Sequence, residues 1–214
     1  PVSYRGQHTM AQFRQPFATG CRIDFPYVAR ILCWHSSPSM YAKKIITDYN
    51  LLREQINAHR TLGHKIVATI GSWDMLHIGH LRYLHKAKEF GDILVVGVDS
   101  DRGIRAYKNP LRPIIPELER MEMLSYQGPV DYIAVIYDVD ETGLWSCGLL
   151  QAVPTDVFVA VEDSYPEEQL AAIRAYCPEV VVLPRQAEQT SSTDIIQNIV
   201  KGHLLEMLDR MRKK

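Results

Sequence analysis

The chain has 214 residues, 46% hydrophobic and 23% charged, which suits one globular domain of ordinary size with room for an appendage. A formal net charge of −1 supplies no broad field to gather a nucleic-acid backbone or a membrane surface, so neither is an expected partner. The four cysteines (Cys21, Cys33, Cys147 and Cys177) make no CxxC pair, no apolar run nears the ~18–20 residues of a bilayer span, and the first residues lack a secretory pattern, so we expect a cytoplasmic protein with reduced thiols.

Residues 1–40 mix Arg14, Pro16, Arg22, Pro26, Trp34, His35 and Pro38 without a sustained period of 2 or 3.6. They read as an irregular N-terminal extension, or as sequence upstream of a start at Met40, with a role in dimerisation as the alternative. The working domain is then 41–214. Leu51, Leu52, Ile56 and Leu62 give a helix capped by Thr47 or Asp48 and ended by Gly63. Residues 65–71 are a buried strand, 78–90 a helix closed by Gly91, and 92–98 a second buried strand. Residues 117–126 are helical in pattern. The runs 132–137, 157–161 and 180–183 read as strands, and 167–176 and 193–211 as helices. Strands alternating with helices predict an α/β fold, a Rossmann-like, doubly wound, mostly parallel sheet with helices on both faces. In such sheets ligands bind beyond the carboxyl ends of the strands. That directs attention to four loops: 69–80, 99–112, 160–165 and 184–193.

In the first loop, His77 and His80 are three residues apart and share one face of the first turn of a helix. Gly79 between them lets a ligand approach the backbone, and the helix N-terminus adds free N–H groups and partial positive charge. Together these make a phosphate site. The competing readings are a pair of capping or surface histidines, or zinc, although HxxH offers no third ligand at a recognisable spacing.

The segment from Gly71 to His80, followed by Leu81, Tyr83-Leu84, Ala87-Lys88 and Gly91-Asp92, resembles the cytidylyltransferase-like nucleotidyltransferases. Within that family it resembles the heptose phosphate adenylyltransferases and glycerol phosphate cytidylyltransferase. The likeness continues through Val98-Asp99-Ser100-Asp101, through Lys108, Arg112-Pro113-Ile114 and Arg120 in that order, and through Val130-Asp131-Tyr132. It closes on Thr190-Ser191-Ser192-Thr193-Asp194-Ile195-Ile196, so it spans about residues 44–200. The resemblance implies an enzyme that transfers a nucleotide monophosphate from ATP or CTP to a small phosphorylated acceptor, a sugar or polyol phosphate, and releases pyrophosphate. Such chemistry depends on positioning and on neutralising charge. It implies Mg²⁺ as the counter-ion of the triphosphate, no protein-built metal site, and a homodimer.

By the same resemblance His77, His80 and Lys108 are catalytic, the histidines on the triphosphate and the lysine on the acceptor phosphate. Imidazole suits the task because its protonation responds near neutral pH. Ile70, Gly71, Ser72, Trp73, Gly79, Asp163, Ser191, Ser192 and Thr193 are expected around the nucleotide. Asp74, Asp99, Asp101, Arg112 and Arg120 are expected around the substrate. Each has a plainer alternative. Lys108 can be a solvated loop lysine, and Ser192 with Thr193 a simple helix cap. Arg120 can be a structural ion pair, Asp74 and Asp101 loop caps or water-mediated magnesium contacts, and Asp99 a turn cap. The chain departs from the family after the 157–159 strand. Ala160-Val161-Glu162-Asp163-Ser164 stands where relatives carry a Gly-rich acidic turn. That departure keeps open a nucleotide-binding protein of the same fold with lost or altered catalysis.

Overall fold

The computed structural model describes residues 42–162, 164–187 and 190–213. The expected extension at 1–40 and the Asp163 assignment lie outside those residues. In chain order the elements are α1 (Tyr49–Thr61), β1 (Ile66–Gly71), α2 (Ile78–Lys88), β2 (Ile93–Asp99), α3 (Asp101–Tyr107) and α4 (Glu117–Ser125). They continue with β3 (Tyr132–Ile136), α5 (Gly148–Ala152), β4 (Val157–Val161), α6 (Glu167–Arg174), β5 (Glu179–Leu183) and α7 (Ser192–Arg212). The sheet runs β3-β2-β1-β4-β5, and every described pairing is parallel.

The elements begin and end where local chemistry tells them to. Asp48 caps α1, its Oδ1 accepting from Asn50 N at 2.8 Å, and the chain leaves that helix through Gly63 at φ +85°. Two short helices escape the sequence reading. Helix α3 falls inside the expected loop 99–112, where Ser100 Oγ accepts from Gly103 N at 3.1 Å and caps it. Helix α5 follows Cys147. At seven and five residues neither shows a readable 3.6-residue period.

Period-2 alternation splits the core into two layers. Ile66, Ala68 and Ile70 of β1 join Val95, Phe158 and Ala160 on one face, packed against Leu52 and Ile56 of α1, Leu149 and Leu150 of α5 and Ile173 of α6. Val67 joins Leu94, Val96, Val98 and Val159 on the other, against Tyr83, Leu84 and Ala87 of α2 and Met121 and Leu124 of α4. The sheet is thus doubly wound, with helices on both faces.

The strand order reverses between β1 and β4. There the ladder is short: β1 pairs with β2 from Ile66 to Gly71, but with β4 only at Val67 and Ala68. Beyond Ala68 side chains bridge the two strands. The Tyr83 hydroxyl donates to Val159 O at 2.8 Å and accepts from Thr69 Oγ1 at 2.7 Å, while the Tyr165 hydroxyl donates to Ile70 O at 3.0 Å. These phenols satisfy backbone groups that the diverging strands leave without each other. The divergence opens a crevice at the carboxyl ends, where such folds bind ligands.

Candidate active site

A cavity of about 520 Å³ occupies that crevice. All four loops expected to carry the site contribute to it. A fifth joins them: Val139, Gly143, Leu144 and Trp145 from the loop after β3, which the sequence reading did not single out.

His77 and His80 line the cavity at the start of α2. His77 is the N-cap, its Nδ1 accepting from Gly79 N at 3.1 Å. His80 reaches back, its Nδ1 accepting from His77 N at 3.3 Å. Because a backbone N–H can only donate, both Nδ1 atoms are acceptors, and each neutral ring carries its proton on Nε2. The rings lie 4.0 Å apart between centroids, and His80 sits 5.6 Å from the indole of Trp73. Burial first, then the charges of His77 and Lys108, pushes His80 down to about 3, and burial also lowers His77. His80 is therefore neutral through the physiological range. This corrects the expectation of an imidazole that changes protonation near pH 7: the ring is uncharged, with its hydrogen on Nε2. The capping reading holds, and the same two backbone bonds fix the orientation of both rings.

Gly79 is small for two reasons. A Cβ there would stand 2.9 Å from His77 Cε1 and 3.0 Å from Ala187 Cβ. The space over it is thus shared with the His77 ring and with the loop after β5. The turn is also strained before the helix, Trp73 and Met75 having φ of +51° and +55°. Burial of Trp73 and its Nε1–H bond to Gly97 O at 2.8 Å hold that shape.

Ile70, Gly71, Ser72, Asp99, Lys108, Arg112 and Ser191 to Thr193 also line the cavity. The Lys108 stem is exposed, but its Nζ turns inward and donates to Ser72 Oγ at 2.8 Å. Desolvation there, followed by the charge of Arg112, holds its pKa below the ordinary lysine value. Asp99 accepts from the Tyr107 hydroxyl at 2.6 Å, and burial raises its carboxyl above the usual range. Ser192 Oγ donates to Asp74 O at 2.7 Å, which pins the start of α7 to the histidine turn. Ser191 caps α7 by accepting from Asp194 N at 3.1 Å.

Three expected substrate contacts lie behind the cavity wall instead. Asp74 is fully buried, accepts from the backbone of Ile114 and Ile115, and pairs with Arg112, whose Nε lies 2.8 Å away but is not aligned for a hydrogen bond. Arg120 is fully buried. It donates to Ile115 O at 3.0 Å, to Asp99 O and Asp101 Oδ1 at 2.8 Å each, and to Ser72 O. Its surroundings support the structural ion pair over the substrate contact, and Asp101 is its partner. Glu162 is also engaged, its Oε1 accepting from Arg185 N at 2.9 Å, while its neighbour Val161 faces the cavity. The sequence reading missed Arg185 and Tyr107 as wall residues. Arg185 follows β5 directly, and the rule of carboxyl-end loops was the signal that pointed to it.

A cytidylyltransferase-like family model matches residues 68–198. The bifunctional protein HldE of Geotalea uraniireducens (strain Rf4) is 34% identical over 174 residues, 80% of this chain and 34% of that protein. The protein of the same name from Syntrophotalea carbinolica is 34% identical over 151 residues, 70% of this chain and 30% of its own length. The chain thus spans about a third of the curated relatives it matches. Among solved structures, the lipopolysaccharide core biosynthesis protein from Thermoplasma volcanium GSS1 is 27% identical with a TM-score of 0.47, covering 57% of this chain and 97% of that one. Pantothenate synthetase from Thermus thermophilus is 17% identical with a TM-score of 0.45, covering 66% and 61%.

Proposed function

The chain belongs to the cytidylyltransferase-like family of nucleotidyltransferases, and from that premise we propose that it moves a nucleoside monophosphate from ATP or CTP onto a small sugar or polyol phosphate. An oxygen of the acceptor phosphate bonds to the α-phosphorus, the α–β bridging P–O bond breaks, and its electron pair leaves with pyrophosphate. The observation that carries this reading is the histidine turn. Two Nε2–H donors, each fixed by a backbone bond to Nδ1, face one cavity together with Lys108 and the N-terminus of α7. Donors held in place before charge develops need no reorganisation when it does.

His77 and His80 take the triphosphate, and the hydroxyls and N–H groups of Ser191 to Thr193 take the departing phosphates. Lys108 takes the acceptor phosphate. Ile70 to Trp73 and Gly79 form the nucleotide side, with Asp99 and Arg112 on the acceptor side. Resemblance to the heptose branch favours ATP as the first choice, with CTP second. Among the described residues no group of three or more His, Cys, Asp or Glu side chains is placed to hold a metal. Magnesium is proposed as part of the incoming nucleotide, where phosphate oxygens and water coordinate it. Among the described residues no helix is long and apolar enough to cross a membrane. On the cysteine pattern we place the enzyme in the cytoplasm, with its working domain at 41–214, as a homodimer.

Pyrophosphate release tests the reading, with ATP, CTP, GTP and UTP each offered with a panel of sugar and polyol phosphates. Release is expected with ATP or CTP, and only when the acceptor carries a phosphate. Nucleotide binding without release across the whole panel would establish the non-catalytic alternative.

A further inference from the structure

Asp99 ends β2 on the wall of the cavity, where it is only 7% exposed. An ionised carboxylate offers about four lone-pair sites. Among the described residues its side chain receives one donor, the Tyr107 hydroxyl, which reaches Oδ2 at 2.6 Å. The bond from Arg120 goes to the backbone oxygen and does nothing for the carboxylate. Burial holds the carboxyl above its ordinary range, as befits a group short of donors. A buried polar side chain with acceptor capacity to spare, on a cavity wall, calls for a donor from a ligand.

The anchor is itself held. Tyr107 ends α3, and the turn after β3 rests on it: a Cβ on Gly143, whose φ is +87°, would stand 2.5 Å from Tyr107 Cβ. The phenol thus fixes Oδ2 and leaves Oδ1 to the cavity. The sheet order β3-β2-β1-β4-β5 decides which ligand lies there. It sets Asp99, at the end of β2, across the histidine turn from the loop after β5 that leads to Ser191 and α7. Lys108 is on the Asp99 side, close enough for its charge to act on the carboxyl. Lys108 and Arg112 share this cavity and repel a cationic group, so the donor that fits is a neutral hydroxyl. Leu144 adds an apolar edge for a carbon skeleton.

Resting on the acceptor-phosphate role of Lys108 given above, we propose that Asp99 reads a hydroxyl of the acceptor, with Tyr107 as its positioning residue. The acceptor is then a phosphorylated sugar or polyol with a free hydroxyl near its phosphate, and the matching deoxy compound is rejected. A hydroxyl that donates to a fixed carboxylate makes a charge-assisted bond, which water excluded from the cavity does not replace when the hydroxyl is missing.

Binding and turnover are read separately. Glycerol 3-phosphate, mannose 1-phosphate and glucose 1-phosphate are each compared with their monodeoxy analogues, by calorimetry and by pyrophosphate release. In the wild type, loss of one particular hydroxyl should weaken binding and kcat/KM at least about 15-fold, as loss of a bond to a charged group does. Asp99→Ala should bring that ratio below about threefold, the size of an ordinary surface effect. Tyr107→Phe, which keeps the ring under Gly143, should give an intermediate ratio and serves if the alanine variant does not fold. Each ratio is taken within one protein, so a general loss of stability or activity cancels. Equal binding of every monodeoxy analogue and its parent overturns the proposal, even where pyrophosphate is released. So does discrimination that survives unchanged in both variants, a rise in nucleotide KM in place of the acceptor's, or failure of all three acceptors to bind. Hydroxyl discrimination in binding without pyrophosphate release upholds the Asp99 assignment and overturns the proposed reaction instead.

Discussion

Replacing Arg120 by glutamine separates scaffold from substrate contact. The guanidinium donates to three backbone carbonyls, those of Ser72, Asp99 and Ile115, and to the Asp101 carboxylate. It thereby ties the ends of β1 and β2 to the segment before α4. Arg120→Gln keeps some hydrogen-bonding capacity but removes the charge and two of the reaching nitrogens. Breaking a buried ion pair costs about 3–5 kcal/mol. The side chain of Asp101 is 28% exposed and recovers part of its hydration once freed, which puts the loss near about 3 kcal/mol. For a chain of this size each kcal/mol shifts Tm by roughly 2–4 °C, so the expected drop is about 6–12 °C. Thermal melting by circular dichroism measures it, with KM for nucleotide and acceptor determined well below the variant's Tm. An unchanged Tm together with a tenfold rise in the acceptor KM would refute the scaffold assignment and return Arg120 to the substrate.

The depressed pKa of His80 has a signed consequence for stability. Below pH 6.5 the unfolded chain protonates this residue while the folded chain resists until about 3, so stability falls as pH drops through that window and is unaffected above it. His80→Gln should flatten the curve by at most about 1.4 kcal/mol per pH unit near pH 5, read as the difference between variant and wild-type denaturant midpoints; parallel curves would contradict a buried neutral ring. Lys108→Ala should raise KM for the phosphorylated acceptor at least about tenfold and leave that of the nucleotide nearly unchanged, as expected for a single phosphate contact. A shift in the nucleotide KM instead would mean the two halves of the site are assigned in reverse.

Much of this protein was legible in its sequence because the signals are local. Apolar runs such as Ile93–Asp99 read as buried strands without reference to anything else, and the alternation of strand and helix implies a parallel, doubly wound sheet. The histidine turn was legible too, since its cap, glycine and spacing lie within ten residues. What tertiary structure decided depends on groups far apart in the chain. Asp74 and Arg112 meet across 38 positions, and Arg120 gathers carbonyls from three segments, so no spacing rule separates wall from scaffold among the residues of one motif. The protonation of His80 was likewise hidden, because desolvation depends on what surrounds the ring and not on what flanks it in sequence. The role of Glu162 followed the same logic: a residue of the turn that departs from the family's Gly-rich pattern spends its carboxylate on the backbone of Arg185, 23 residues away. Local periodicity dictates which elements form, while the pairing of buried charges and carbonyls, settled only when the chain is packed, dictates which polar side chains remain free to meet a ligand.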